Sequence, residues 1–176
     1  MENRSRALPV RKEAILALII LIGVAMLAPI LFKQQLITGT IVNATLIIGV
    51  CWLGVRESLI IGLVPSSVAL AIGMLSPTLA PMVPFIIIGN ALLVLSFALL
   101  RKYNFWVGVL AGSVLKFVFL YGTSAVIAGL WVNKTIAPAV AQMMSWPQLV
   151  TALAGGLVAF GFIRMLKWYH SQDKIK

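Results

Sequence analysis

Acidic residues are nearly missing from this chain: 176 residues carry four, Glu2, Glu13, Glu57 and Asp173, against fourteen Lys and Arg. A paired-carboxylate acid/base site, or a proton relay through a membrane, needs carboxylates at depth. All four are expected at the cytoplasmic side. Histidine is scarcer still, with only His170 in the C-terminal tail, and cysteine is limited to Cys51. One thiol excludes an intrachain disulfide and any four-cysteine zinc or iron–sulfur site, and its apolar neighbours suit a buried structural thiol. The phosphate-cradling G-x-x-x-x-G-K-[ST], the metal-binding H-E-x-x-H and the nucleophile elbow G-x-S-x-G do not occur. These absences argue against an enzyme and against an ion-driven pump, and no cofactor or metal is expected.

Polar surface is also in short supply. With 61% hydrophobic and 10% charged residues, and a mean hydropathy of +1.07, the chain cannot cover itself for water. The lipid bilayer takes that place. Six apolar runs are separated by charged, proline-rich or polar breaks, at 13–32, 40–55, 58–76, 83–100, 105–131 and 148–167. The second is short for a full crossing. The first follows the charged flank "MENRSRALPVRK" as a signal peptide would, yet it is long and lacks a small-x-small cleavage site, so it reads as a retained helix. The expectation is an all-α integral membrane protein, one six-helix bundle over residues 1–176.

Where the charges stand sets the topology. If the N-terminus is cytoplasmic, Arg4, Arg6, Arg11, Lys12, Arg56, Arg101, Lys102, Arg164, Lys167, Lys174 and Lys176 all lie inside, and only Lys33 and Lys134 outside. Cytoplasmic loops retain Lys and Arg, so both termini are expected inside the cell membrane. The net charge of +10 is then a topology signal and not a nucleic-acid footprint. The longest non-spanning stretch, "VNKTIAPAVAQMMSWPQ", is mostly apolar and bounded by Trp131 and Trp146. It suits an outer interfacial anchor or a lid over 132–147.

One charge breaks the pattern. Lys116 stands near the middle of the fifth run, where a lysine costs roughly 2.5–3.5 kcal/mol to insert unless it faces a protein interior, a wet cavity or an anion. No acidic residue shares its depth. The other polar groups at depth or at the outer rim are Asn43, Asn90, Tyr121, Gln142, Gln148 and Thr151. Asn43, Asn90 and Gln148 fall near the outer ends of their helices, and Tyr121 is read one turn outward of Lys116 on nearly the same face. They are expected to converge, with Phe85 and Trp146, on an outward cavity for a small, flat or apolar anion. The bland alternative makes each amide an interhelical glue worth about 0.6 kcal/mol, up to roughly 2.

Small residues give a second signal. Ala14, Ala17, Ala25 and Ala28, with Leu21 among them, form a stripe on the first helix that admits close approach of another helix, and Gly108 and Gly112 form a G-x-x-x-G on the fifth. Either pattern also suits packing within the chain.

Together, "TGTIVNATLIIGVCWLGVRESLIIGLVPS", "PMVPFIIIGNALLVL", "KFVFLYG" and "SWPQLVTALAGG" make residues 12–168 resemble the substrate-binding S components of energy-coupling factor (ECF) transporters, in particular a vitamin-transporter-like subgroup. The resemblance implies a six-helix subunit that captures a micronutrient from outside. It also implies docking, through small residues of its first helix, onto a transmembrane coupling protein driven by two ATPases. The family's docking motif is A-x-x-x-A, whereas this helix has "AILA" and "AMLA". The rival reading is a structural scaffold protein of similar fold that transports nothing.

Overall fold

The computed structural model describes residues 11–32, 34–71, 77–130 and 141–173. Among them the chain forms α1 (Arg11–Leu31), α2 (Gln35–Trp52), α3 (Val55–Ala71), a 3-10 turn (Pro77–Met82), α4 (Val83–Leu100), α5 (Phe105–Leu130) and α6 (Trp146–Asp173). Helices satisfy every backbone donor and acceptor within the segment, which hydrocarbon surroundings demand. Five segments are long and apolar enough to cross a membrane: Lys12–Leu31, Gln35–Trp52, Ala80–Leu100, Phe105–Ile127 and Ala141–Trp168. A multi-pass membrane protein follows from that count. The remaining helix, α3, is 17 residues long, has Glu57 in its first turn and contains Pro65.

Several boundaries differ from the sequence expectation. The second run was expected at 40–55 and is not short, because α2 begins at Gln35. Thr38 looks like part of a polar break, but its hydroxyl donates to the Phe32 carbonyl at 2.7 Å, so the helix absorbs it. The chain then reverses at Gly54, whose φ of 119° is left-handed and whose N–H donates to the Gly49 carbonyl at 3.0 Å. The last helix extends well beyond 148–167, its 28 residues spanning about 42 Å against a hydrocarbon core of about 30 Å. Residues 72–76 and 131 of the expected third and fifth spans lie outside the described residues.

Close approaches at small residues fix the packing. Along the α4–α5 seam, a Cβ on Gly108 would lie 3.0 Å from the Phe97 ring and 3.1 Å from the Arg101 nitrogen, and one on Gly112 would lie 3.0 Å from Leu93. The G-x-x-x-G therefore packs inside the chain. Along the α2–α6 seam, Gly39 meets Thr151 and Gly155 meets Asn43. The main core draws Leu46, Ile47 and Val50 from α2, Ile61 from α3, Leu93 and Phe97 from α4, Val109 from α5 and Ala159 from α6.

The alanine stripe on α1 needs correction as a docking face. Ala25 and Ala28 are 0% and 3% exposed, with Leu21 buried beside them, and α1 packs on α2 and α3. A small-residue stripe reports a close neighbour without saying whose it is, and for these two alanines the neighbour is the chain itself. Ala14 and Ala17, nearer the N-terminus, stay half-buried. Ala25→Trp is accordingly expected to lower stability by about 3 kcal/mol through overpacking, before any partner is involved. A detergent melting curve unchanged from wild type would contradict that placement.

Candidate functional site

The glycine seams determine what meets at the centre. On α4 and α5, which run antiparallel, Gly108 against Phe97 and Gly112 against Leu93 set a register that carries Lys116 to Asn90 one turn further along. On α2 and α6, Gly155 against Asn43 lets the two backbones close around the Asn43 side chain. Lys116 Nζ donates to Asn43 Oδ1 at 2.7 Å and to Asn90 Oδ1 at 2.8 Å. Asn43 Nδ2 donates to Thr151 Oγ1 at 3.3 Å, Thr151 Oγ1 donates to the Gln148 carbonyl at 3.2 Å, and Asn90 Nδ2 donates to the Gly62 carbonyl at 3.1 Å. The result is one layer of hydrogen bonds tying α2, α3, α4, α5 and α6 together.

Burial makes this layer costly. Asn43, Asn90, Lys116 and Thr151 are all 3% exposed or less. Both acceptors of the ammonium are neutral amide oxygens, and the described acidic side chains, Glu13 and Glu57, stand in the first turns of α1 and α3. Protonated, this side chain has three donors, and two are used here among the described residues. One helical turn towards the start of α5, Ser113 is fully buried and its hydroxyl has no partner among the described residues. Lysine side chains on a helix lean towards its N-terminus, which is the direction of Ser113.

The layer separates two apolar regions. Below it is the main core; the second cluster, at the α4 N-terminal end, comprises Met82, Leu120 and Met144 with Phe85, Ile86, Phe119, Ile127 and Met143 against them. Methionine is unbranched and repacks readily, so this is the more adaptable side.

The expected site residues divide. Asn43, Asn90 and Lys116 come together, and Phe85 lies half-buried in the Met-rich cluster with its ring 6.4 Å from that of Phe119. Gln148 is half-buried and donates to the Met143 carbonyl at 3.2 Å, where Gln35 Nε2 also donates, so it braces the turn leading into α6. Tyr121 is corrected: it is 55% exposed and stacks on Phe117 at 5.8 Å, away from Lys116. Five residues along a helix are about 140° apart, so the shared face read from sequence does not exist. Trp146 is 55% exposed and Gln142 is exposed, and neither side chain is among the hydrogen-bond partners of the layer. Of the suggested lid, residues 132–140 lie outside the described residues. Sequence reading missed Ser113; its one signal is the three-residue spacing to Lys116.

Among the described residues no group of three or more His, Cys, Asp or Glu is placed to hold a metal. The layer itself offers an amine, two amides and a hydroxyl as hydrogen-bonding groups. Comparison with known protein families, with curated proteins and with solved structures gives no match.

Proposed function

We propose that this protein is a substrate-capture subunit, similar to the S components of ECF transporters, that takes a small anionic, vitamin-like solute from outside the cell. The observation that carries the reading is Lys116: a buried amine that donates to two neutral oxygens and, once protonated, has a third donor to offer. An anion reaching it through the Met-rich cluster would complete its coordination and neutralise it, while Asn43 and Asn90 hold it in place. The described arrangement is then the closed, unloaded one.

Topology supports the direction of capture. Glu13 at the start of α1, the end of α2, Arg101 after α4, and Arg164 and Lys167 on α6 surround one groove, so the basic residues gather at one end of the bundle. The rule that Lys and Arg stay inside makes that end cytoplasmic, with both termini, and turns the Met-rich cluster outward. With α3 counted, the bundle has six spans. The chain lacks a nucleotide-binding motif, and the capture reading assigns ATP hydrolysis to two ATPase partners acting through a transmembrane coupling protein. The protein itself is then not an enzyme.

A scaffold reading is favoured by one observation, the near-complete internal satisfaction of the polar layer. Native mass spectrometry of protein purified from cells grown in rich medium separates the two. Capture predicts a small acidic mass bound to wild type and absent from Lys116→Met. Wild type and variant both free of any such mass would overturn it.

A further inference from the structure

The groove at the basic end holds chemistry that the polar layer does not use. It encloses about 890 Å³ between the ends of α1, α2 and α6 and the α4–α5 turn. Its walls are Trp52, Phe105, Phe160 and Ile163, and its charged groups are Arg101, Arg164 and Lys167 with Glu13 alone opposing them. Arg164 and Lys167 sit three apart on one face of α6, and Arg101 reaches the same groove from a different element. All three cations are exposed, and among the described residues none is held in an ion pair. The indole of Trp52 leans on Phe162, with centroids 5.4 Å apart, and is 42% exposed. Lys102 lies over the Tyr103 ring at 4.9 Å and Trp168 is exposed nearby in sequence to Lys167, as suits residues at headgroup level.

We infer that this groove is a binding site for an anionic phospholipid of the inner leaflet. The two-part lining fits a two-part ligand. Three cations against one carboxylate leave two net positive charges to receive a phosphate headgroup. The aromatic and aliphatic wall receives an acyl chain. Basic pockets between helices on the cytoplasmic side take anionic headgroups in this way. A soluble phosphate would use the cations and leave the apolar wall wet; a neutral lipid would use the wall and leave the cations unpaired. The site lies at the opposite end from the proposed solute opening and does not depend on solute capture; only its leaflet rests on the proposed orientation.

The test uses Trp52 as a built-in reporter. Full-length protein in phosphatidylcholine nanodiscs receives equal small fractions of bromine-labelled phosphatidylglycerol or bromine-labelled phosphatidylcholine. The Trp52 signal is the difference between wild type and Trp52→Phe. Each net charge favours an anionic headgroup severalfold, so quenching by phosphatidylglycerol should need roughly tenfold less lipid than quenching by phosphatidylcholine. The preference should vanish in Arg101→Gln/Arg164→Gln/Lys167→Gln, with phosphatidylcholine quenching unchanged as evidence that the groove is intact. Equal quenching by both lipids in wild type, a preference that survives the triple change, or a Trp52 signal that neither lipid touches, as when a protein segment fills the groove, would each overturn the site.

Discussion

Replacing Asn43, Asn90 and Lys116 together with Leu, Leu and Met is expected to leave a folded bundle that holds no ligand. The three side chains are mutually satisfied, so removing them as a set costs outside them only one bond at the Gly62 carbonyl and one at Thr151, whose hydroxyl keeps its bond to the Gln148 carbonyl, and it removes an ionisable group that is costly in hydrocarbon. Stability should stay within about 2 kcal/mol of wild type. Single changes behave differently. Lys116→Met strands two buried amide oxygens, each worth about 1–3 kcal/mol, against relief of the buried charge, and should weaken binding of an anionic solute by roughly 2–5 kcal/mol. Calorimetry and detergent melting on the single and triple variants read both quantities. A triple variant that still retains its small acidic mass would remove the layer from the binding site. If instead it loses ligand only by failing to fold, which its melting curve reveals, the layer is structural and the scaffold reading gains.

Gly155→Val should be the most damaging single change on α6. Even one carbon there would sit 2.7 Å from Asn43 Cβ and 2.9 Å from the Ala44 nitrogen, and the second is backbone that cannot swing aside. Forcing α2 and α6 apart also pulls Asn43 from Lys116, so the expected loss is about 3 kcal/mol or more together with any ligand retention. Gly161→Ala, six residues further along the same helix, meets nothing within 4 Å and should raise stability by about 0.5–1 kcal/mol through helix propensity. Melting curves showing the two changes equal in effect would mean that α6 is not seated against α2 as described.

Parts of this arrangement can be read without coordinates, and the reasons differ by residue. Lys116 announces itself because its cost in lipid is large and local to one residue. Asn43 and Asn90 follow, because few other polar groups share its depth. The start of α2 is hidden in sequence because Gln35 and Thr38 are polar, yet in place each donates to a backbone carbonyl. Ala25 and Ala28 signalled contact correctly, but a stripe of small residues is equally suited to an internal or an external neighbour. Tyr121 was misplaced by angular arithmetic. Ser113 was invisible for another reason: serine is common in membrane helices, and only burial without a partner distinguishes it.

The direction of the hydrogen bonds at the centre has an electrical consequence. A relay needs groups that can accept a proton on one side and release it on the other, as carboxylates, imidazoles and waters do. Lys116 faces amide oxygens, and each amide in turn spends its NH2 on the next oxygen, ending at the carbonyls of Gly62 and Gln148. Neither asparagine can pass a proton onward in that state without turning over its side chain. In this arrangement the hydrogen bonds among these side chains give no continuous path for a proton, so Lys116 can gain or lose one without the two asparagines handing it on.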